Sequence, residues 1–327
     1  MSVLVTGGAG YIGSHTVRAL RATDHAVVVL DTMELGHRAA LLGAELVVGN
    51  IRDRALVTDL CRSHGVTQIV HFAAYKNVGE SMEQPDRYWL NNVAGSVDLV
   101  EGALAAGVKE IVFSSSCSVN GTPTTMPVTE DAPISPESVY AETKAMVERI
   151  LGWYGITHGV RAASLRYFNA AGASTDGVIG EDWTHSQNLI PLVMKATLGK
   201  RPPVRVFGSD YPTADGTCVR DYIHIEDLAD AHVRALRYLR DGGDTVSLNV
   251  GSGVGSSVLD IIHATERISG QVVPYEVGPR RAGDPVVTYA DPTKVHTTLG
   301  WSATRSLDEI IESAWRWHST HLDGFAD

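Results

Sequence analysis

The sequence predicts an α/β protein: a doubly wound parallel sheet followed by a smaller α/β domain. Three observations carry this. Apolar runs alternate with amphipathic stretches through the first half of the chain. Those runs are dense in Val and Ile without strict polar alternation, the pattern of strands buried on both faces. Beyond Tyr167-Phe168-Asn169 the pattern gives way to long stretches rich in Gly, Pro and Asp, at 170–188, 199–220 and 278–291. Loops that long inside a compact domain usually carry function.

Strands are expected at 2–6 (SVLVT), 26–30 (AVVVL), 45–48 (ELVV), 68–71 (QIVH), 110–114 (EIVFS) and 161–165 (RAASL). Helices are expected near 11–22, 54–64, 85–106 and 137–154. Strand and helix repeated in this order give a parallel sheet with right-handed crossovers. The doubly wound domain is expected over 1–168 and the smaller one over 169–327, with a segment near 221–250 returning to the first. Short elements at 204–207, 225–241 and 257–268 fall in the second part.

The chain has 327 residues, with 27 basic against 38 acidic and a net charge of −11. That balance speaks against nucleic acid or an anionic membrane as the main partner, and leaves room for a local basic pocket. Cys61, Cys117 and Cys218 are too few and too scattered for a disulfide framework or a zinc site, and no metal is expected. The chain enters a strand at its first residues, without a charged-then-apolar leader. No apolar run approaches the roughly 18 residues that span a bilayer. A cytoplasmic protein without membrane attachment is the expectation.

The strand at 2–6 runs into Gly7-Gly8-Ala9-Gly10-Tyr11-Ile12-Gly13 and then a helical pattern. Gly7, Gly10 and Gly13 have the spacing G-x-x-G-x-x-G. Glycines there permit a tight turn and let backbone N–H groups approach a pyrophosphate, which a helix N-terminus also attracts. A plain strand-to-helix turn would explain one glycine. Here the next strand also leads into Asp31, 18 residues past Gly13. An acid at that place accepts from a ribose 2′-hydroxyl and repels a 2′-phosphate, so NAD is expected rather than NADP. The expected fold is therefore Rossmann-like.

This glycine spacing resembles the extended short-chain dehydrogenase/reductases. The resemblance implies a Ser or Thr after the strand near Glu110 and a Tyr-x-x-x-Lys on a helix. Ser116 and Tyr140-Ala141-Glu142-Thr143-Lys144 supply them. The i, i+4 spacing puts Tyr140 and Lys144 on one helix face. A free tyrosine titrates near about 10, and a neighbouring ammonium and a positive nicotinamide ring both favour its phenolate, so Lys144 and the cofactor together are expected to lower the Tyr140 pKa. Tyr140 then takes a proton from a sugar hydroxyl as hydride leaves the carbon. Lys144 would also hydrogen-bond the nicotinamide ribose, and Ser116 the reacting oxygen.

Longer stretches narrow the resemblance. They are GGAGYIGSH (7–15), HFAAYKNVGES (71–81), NNV (91–93), FSSS (113–116), LRYFNAAGA (165–173), GED (180–182), NLIP (188–191), VFGSDYPTADGTCVRDYIH (206–224), DLADAH (227–232), PRRAGD (279–284) and LGWSATRSLDEII (299–311). In sequence and order they resemble the UDP-glucose 4-epimerase family over nearly the whole chain. The resemblance implies reversible C4 epimerisation of a UDP-hexose through a 4-keto intermediate, with NAD held tightly. It implies that Tyr11 and Ile12 line the pyrophosphate, Asp31 holds the adenosine ribose, and Asn50 and Ile51 flank adenine. Phe72, Ala73, Lys76, Asn91, Ser114 and Phe168 would line the rest of the cofactor. Asn169, Asn188 and Leu189 would hold the nucleotide sugar. Val206 and Phe207 would border the uracil, and Arg220, Arg281 and Asp284 would take the diphosphate and ribose. Arginines in Gly-rich loops suit bidentate diphosphate contacts, although a single loop arginine is otherwise a solvated surface charge.

Four positions depart from the family pattern. Asn120 follows Val119 where a tyrosine is usual, and Asn50 stands where aspartate is usual. The segment between Asp31 and Ala44 is short, and Thr288 replaces a bulky residue beside the sugar. A small residue there resembles members that also accept N-acetylated sugars, so UDP-GalNAc and UDP-GlcNAc are further expected substrates. Three alternatives stay open. A 4,6-dehydratase needs an Asp-Glu pair where Cys117 and Ser118 stand. An enzyme epimerising C3 or C5 would use Cys117 as an acid/base with a lowered pKa. A non-catalytic NAD-binding sensor would have no need of Ser116, Tyr140 and Lys144. The segments at 85–106 and 137–154 carry apolar faces (Val93, Val97, Val100 and Leu104; Val147, Ile150 and Leu151). In the family the corresponding helices pair across a two-fold axis, so a homodimer is expected.

Overall fold

The computed structural model describes residues 1–23, 25–184, 186–281 and 283–325; Ala282 of the PRRAGD stretch lies outside them. The first half runs β1 (Ser2–Thr6), α1 (Tyr11–Arg21), β2 (Ala26–Asp31), β3 (Glu45–Val48), α2 (Arg54–Ser63), β4 (Val66–His71), α3 (Val78–Glu83), α4 (Pro85–Tyr88), α5 (Gly95–Ala105), β5 (Glu110–Ser116), α6 (Val139–His158) and β6 (Arg161–Tyr167). The second runs β7 (Asn169–Ala171), α7 (Leu189–Thr197), β8 (Val204–Phe207), β9 (Val219–His224), α8 (Ile225–Arg240), β10 (Val246–Val250), β11 (Gly255–Ser257), α9 (Val258–Ser269), β12 (Tyr275–Gly278), β13 (Val287–Thr288), α10 (Thr293–Leu299) and α11 (Leu307–Thr320).

Seven parallel strands form the main sheet in the order β10-β6-β5-β4-β1-β2-β3. The winding reverses between β1 and β4, which opens a crevice at their carboxyl ends. Successive side chains of each strand go to opposite faces. Val3, Val5, Val29, Val70 and Val112 enter one core with Leu20 of α1 and Leu236 of α8. Leu4, Val28, Leu30, Ile69 and Ile111 enter the other with Leu60 of α2, Leu99 of α5 and Leu151 of α6. Both faces are covered, which is why the strands read as unbroken apolar runs. Late in the chain, α8 and β10 pack with this sheet. A further core gathers Ile190 and Val193 of α7, Val204 and Val206 of β8, Ile261 of α9 and Ile310 of α11. Two small sheets accompany it, β11-β9-β13 with β7 beside β9, and β12-β8.

One expected helix is not continuous. Between α4 and α5, residues Trp89–Ala94 form a π-helical stretch. It carries buried Asn92, whose Oδ1 accepts from Tyr75 N and whose Nδ2 donates to Tyr75 O, both at 2.9 Å. Wide turns of this kind recur at functional sites. The other helix is shifted from its expected span. Ser138 caps α6 by accepting from Ala141 N, and Gly159 ends it in the left-handed region at φ +70°. Of the apolar residues expected on these two helices, Val100, Val147 and Leu151 are buried against the sheet. Val93, Val97, Leu104 and Ile150 are half-buried. Four apolar residues outside the expected set, Leu90, Met146, Trp153 and Ile156, are exposed on these segments. No helix among the described residues is long and apolar enough to cross a membrane.

Candidate active site

The crevice begins where β1 ends. Gly7 takes φ +70°, and its N–H donates to Leu30 O at 2.9 Å. A Cβ on Gly7 would lie 2.6 Å from the Ala73 nitrogen, and one on Gly13 would lie 2.3 Å from the Gly7 oxygen. Both positions need glycine for the chain's own packing. Gly10 differs, because a Cβ there meets nothing nearer than the Gly7 oxygen at 3.5 Å. Its open side suits a closely approaching ligand. α1 starts after Gly10 with no side-chain cap and no acid in its first turn. That leaves amides and a positive dipole end for a pyrophosphate, so the loop fits a dinucleotide. Tyr11 donates its hydroxyl to Gly172 O at 2.6 Å, and Ile12 packs on the first core.

Asp31 ends β2. Its Oδ2 accepts from Ala9 N at 3.0 Å and its Oδ1 from Met33 N at 2.9 Å. Each oxygen keeps acceptor capacity for a ribose hydroxyl. The short segment that follows is clasped on both sides. Glu34 accepts from the Tyr75 hydroxyl at 2.6 Å and from Arg87, whose guanidinium lies 3.8 Å from the centre of the Tyr75 ring. His37 lies 2.9 Å from the Asp182 carboxylate. Asn50 is exposed, with its Oδ1 accepting from Arg52 N at 3.0 Å, and Ile51 is buried against Gly95. Phe72 and Ala73 donate their N–H groups to Thr6 O at 2.9 and 3.1 Å. Lys76 is exposed, 3.7 Å from Glu181, and Asn91 donates to Asn92 Oδ1 at 3.0 Å.

β5 carries Ser114, Ser115 and Ser116 to the sheet's carboxyl edge, and α6 buries Tyr140 and Lys144 beside them. Lys144 Nζ donates to Ser114 O at 2.7 Å and lies 5.8 Å from the centre of the Tyr140 ring. The Ser114 and Tyr167 hydroxyls are 2.7 Å apart. Ser116 Oγ accepts from Ser118 N at 3.2 Å and Ser118 Oγ at 2.9 Å, and Ser116 is near enough to Tyr140 to favour its phenolate.

The electrostatics correct one expectation. Burial raises the Tyr140 pKa well above its ordinary value, Tyr167 adds to the rise, and nearby Ser116 opposes it. Burial pushes the Lys144 pKa itself down to about 7, with the Glu148 carboxylate opposing. Desolvation therefore dominates both groups in the chain by itself. Burial also pushes the Cys117 thiol up to about 12, and Asp221 adds to this. A thiol that stays protonated at neutral pH makes a poor base.

Phe168 is buried in a small cluster with Val128 and Ala290, and Cys117 packs against it. Asn169 donates Nδ2 to Asp221 O at 3.0 Å. Asn188 donates Nδ2 to Glu181 at 2.9 Å just ahead of α7, and Leu189 opens that helix half-buried. Val206 is buried and Phe207 half-buried on β8, with the Arg281 guanidinium 4.5 Å from the centre of the Phe207 ring. Arg220 and Arg281 lie 3.8 and 3.6 Å from Asp284. β13 pairs with β9 so that Thr288 stands opposite Arg220, and the Thr288 hydroxyl is buried without a hydrogen-bond partner. Arg220 also acts on the Cys117 thiol, which puts this wall next to the serine edge.

Three residues that shape the site escaped the sequence reading. Asn92 pins the loop after β4 through the Tyr75 backbone. Glu181 is buried and accepts from Ser186 at 2.8 Å and from Asn188. Asp221 is fully buried and accepts from Ser252 N and Oγ, Gly253 N and Ala290 N. Their presence inside NNV, GED and VRDY was the available signal.

Comparison with known proteins agrees with this geometry. Residues 3–251 match the NAD dependent epimerase/dehydratase family. A UDP-glucose 4-epimerase of Halalkalibacterium halodurans is 44% identical over 327 residues, covering 100% of this chain and 98% of that protein. The UDP-glucose 4-epimerase of Stenotrophomonas maltophila, solved with NAD and formylated UDP-arabinopyranose, superposes with a TM-score of 0.96 at 41% identity, covering 98% of this chain and 99% of that one. The Bifidobacterium longum enzyme, solved with NAD+ and UDP, gives 0.93 at 36% identity, covering 99% and 100%. With such likeness along its whole length, and with the glycine crevice and serine edge in place, the chain belongs to the UDP-glucose 4-epimerase family.

Proposed function

We propose that the protein interconverts UDP-galactose and UDP-glucose by reversible oxidation at C4. Residues 1–168 hold NAD and 169–327 hold the UDP-sugar, apart from the late segment that packs with the first sheet. The observation that carries this reading is the burial of Tyr140 and Lys144 against Ser114 and Ser116, at the edge of the glycine crevice.

When bound, NAD supplies a hydride acceptor. Gly7, Gly10, Tyr11, Ile12 and Gly13 take its pyrophosphate, and Asp31 its adenosine ribose. Asn50 and Ile51 flank the adenine. Phe72, Ala73, Lys76, Asn91, Ser114 and Phe168 line the remainder. Tyr140 takes the proton of the C4 hydroxyl as the hydride leaves C4, and Ser116 donates to the same oxygen. Lys144 stabilises the phenolate. Asn169, Asn188, Leu189, Val206, Phe207, Arg220, Arg281 and Asp284 grip the uridine diphosphate while the 4-keto sugar turns. Tyr140 then returns the proton as hydride arrives on the other face. No net redox change occurs, so the cofactor stays bound.

Thr288 is small where the family carries a bulky residue beside the sugar, and on that ground the substrates extend to UDP-GalNAc and UDP-GlcNAc. The exposed Leu90, Met146, Trp153 and Ile156 on two neighbouring helical segments support a homodimer. The protein acts in the cytoplasm. Incubation with each UDP-hexose and its N-acetyl analogue, without added cofactor, tests the reading. Product from UDP-galactose supports it. No turnover of any of the four overturns it.

A further inference from the structure

Glu148 lies one helical turn beyond Lys144 on α6, on the same face. Its side chain is 9% exposed, and that of Arg166 on β6 is 7% exposed. Arg166 donates Nη2 to Glu148 Oε2 at 2.6 Å and Nε to Oε1 at 3.0 Å. Ser115 donates to Oε1 at 2.5 Å, and Ser247 to Oε2 at 3.3 Å. Ser115, Arg166 and Ser247 belong to β5, β6 and β10, three adjacent strands. One carboxylate thus ties the Tyr140/Lys144 helix to three strands. Its link to β5 falls between Ser114 and Ser116, whose side chains face the other side of the strand.

We propose that Glu148 is a positioning residue for the epimerase reaction, setting α6 against β5 and keeping the Lys144 ammonium charged. The inference rests on the functional reading above. The titratable and charged groups around Lys144 are few. Tyr140 and Glu148 share its helix, His71 ends β4, and Arg166 and Tyr167 lie on β6. Burial holds His71 near 3, so it is neutral, and burial holds Tyr167 near 12, so it is neutral too. Glu130 offers only its backbone carbonyl to Arg166 and turns its carboxylate to Asn249 N. Glu148 is therefore the carboxylate that opposes desolvation of Lys144, and its ion pair with Arg166 offsets part of its charge.

The test titrates Lys144 directly. NMR of protein labelled with 13C-lysine follows the side-chain shift against pH, with the signal assigned by its loss in Lys144→Met. Glu148→Gln keeps the size and the acceptor oxygen but removes the charge. Its Lys144 midpoint falls by about 0.5–1 pH unit, and the alkaline limb of the turnover profile moves down with it. Glu148→Asp keeps the charge with a shorter reach. Its midpoint stays near wild type while kcat drops at every pH. An unmoved midpoint in Glu148→Gln overturns the proposal, as does a kcat loss in both variants without a limb shift. If the midpoint moves but the wild-type protein turns over no UDP-hexose, the functional reading fails and the coupling to Lys144 stands.

Discussion

The Lys144 ammonium is hydrogen-bonded to the carbonyl of Ser114 at 2.7 Å, two residues before the serine that faces Tyr140. The helix that carries the base and the strand that carries the polarising hydroxyl are thereby locked together by one charged donor. The arrangement does not wait for substrate to assemble. Its consequences can be measured one residue at a time.

Tyr140→Phe removes the proton acceptor and keeps the ring. Turnover of UDP-galactose falls by about 10²–10⁴-fold. The bound dinucleotide, released by denaturation and quantified by absorbance, stays at the wild-type amount. A variant as active as wild type removes Tyr140 from the mechanism.

Lys144→Met separates catalysis from stability. The folded pKa is about 7 against an ordinary 10.5. Between those values the unfolded chain binds the extra proton, so stability rises with pH, and below the window the buried charge costs its full amount. The variant loses activity but unfolds later in urea at pH 6–7, by about 1–3 kcal/mol. An unchanged or earlier midpoint contradicts the burial argument.

Gly10→Ala and Gly13→Ala divide the glycine loop by purpose. Alanine at Gly13 drives a Cβ into the Gly7 carbonyl, so that protein is recovered poorly or melts early. Alanine at Gly10 meets no such obstacle within the chain. Its melting temperature without cofactor stays close to wild type, while its NAD content after purification drops. Equal NAD content in Gly10→Ala and wild type would mean that the open side of Gly10 is not where the ligand passes.

Arg220 and Arg281 share Asp284 but differ in burial, with side chains 20% and 59% exposed. A charge-assisted contact made by the more buried guanidinium is the stronger one. Arg220→Ala raises KM for UDP-sugars by about 10–100-fold, corresponding to roughly 1.5–3 kcal/mol. Arg281→Ala raises it less. Steady-state kinetics showing the reverse order would move the main diphosphate contact to Arg281.

Acid is expected to destabilise this protein through its buried histidines. Burial holds His15, His224 and His232 near 4 and His71 and His318 near 3, against an ordinary 6.5. The unfolded chain takes up these protons first, so stability falls as pH drops from about 6.5 towards 4, by at most about 1.4 kcal/mol per pH unit for each histidine. Urea midpoints across that range record the slope. A flat profile refutes it.

The sheet was legible because both of its faces are covered, so each strand left a continuous apolar run. Glycine spacing and Tyr-x-x-x-Lys were legible because their geometry is local. Longer-range features were not. Nothing local distinguishes Glu148 from any solvated glutamate on a helix, yet Arg166, Ser115 and Ser247 converge on it from three strands. The π-helical stretch at Trp89–Ala94 escaped for the same reason, because Asn92 finds its partners in the loop after β4. The direction of the Tyr140 shift also depends on burial, which residue type and spacing do not reveal.

Glu34 reaches from the segment after Asp31 to Tyr75 and Arg87 on the other side of the crevice, and His37 holds the same segment to Asp182. A dinucleotide held under that segment would leave only when several side chains let go together. It would then behave as part of the protein instead of as a currency shared with the cell. Such an enzyme would be insulated from swings in the cellular balance of oxidised and reduced nicotinamide, and its flux would answer to the supply of nucleotide sugars.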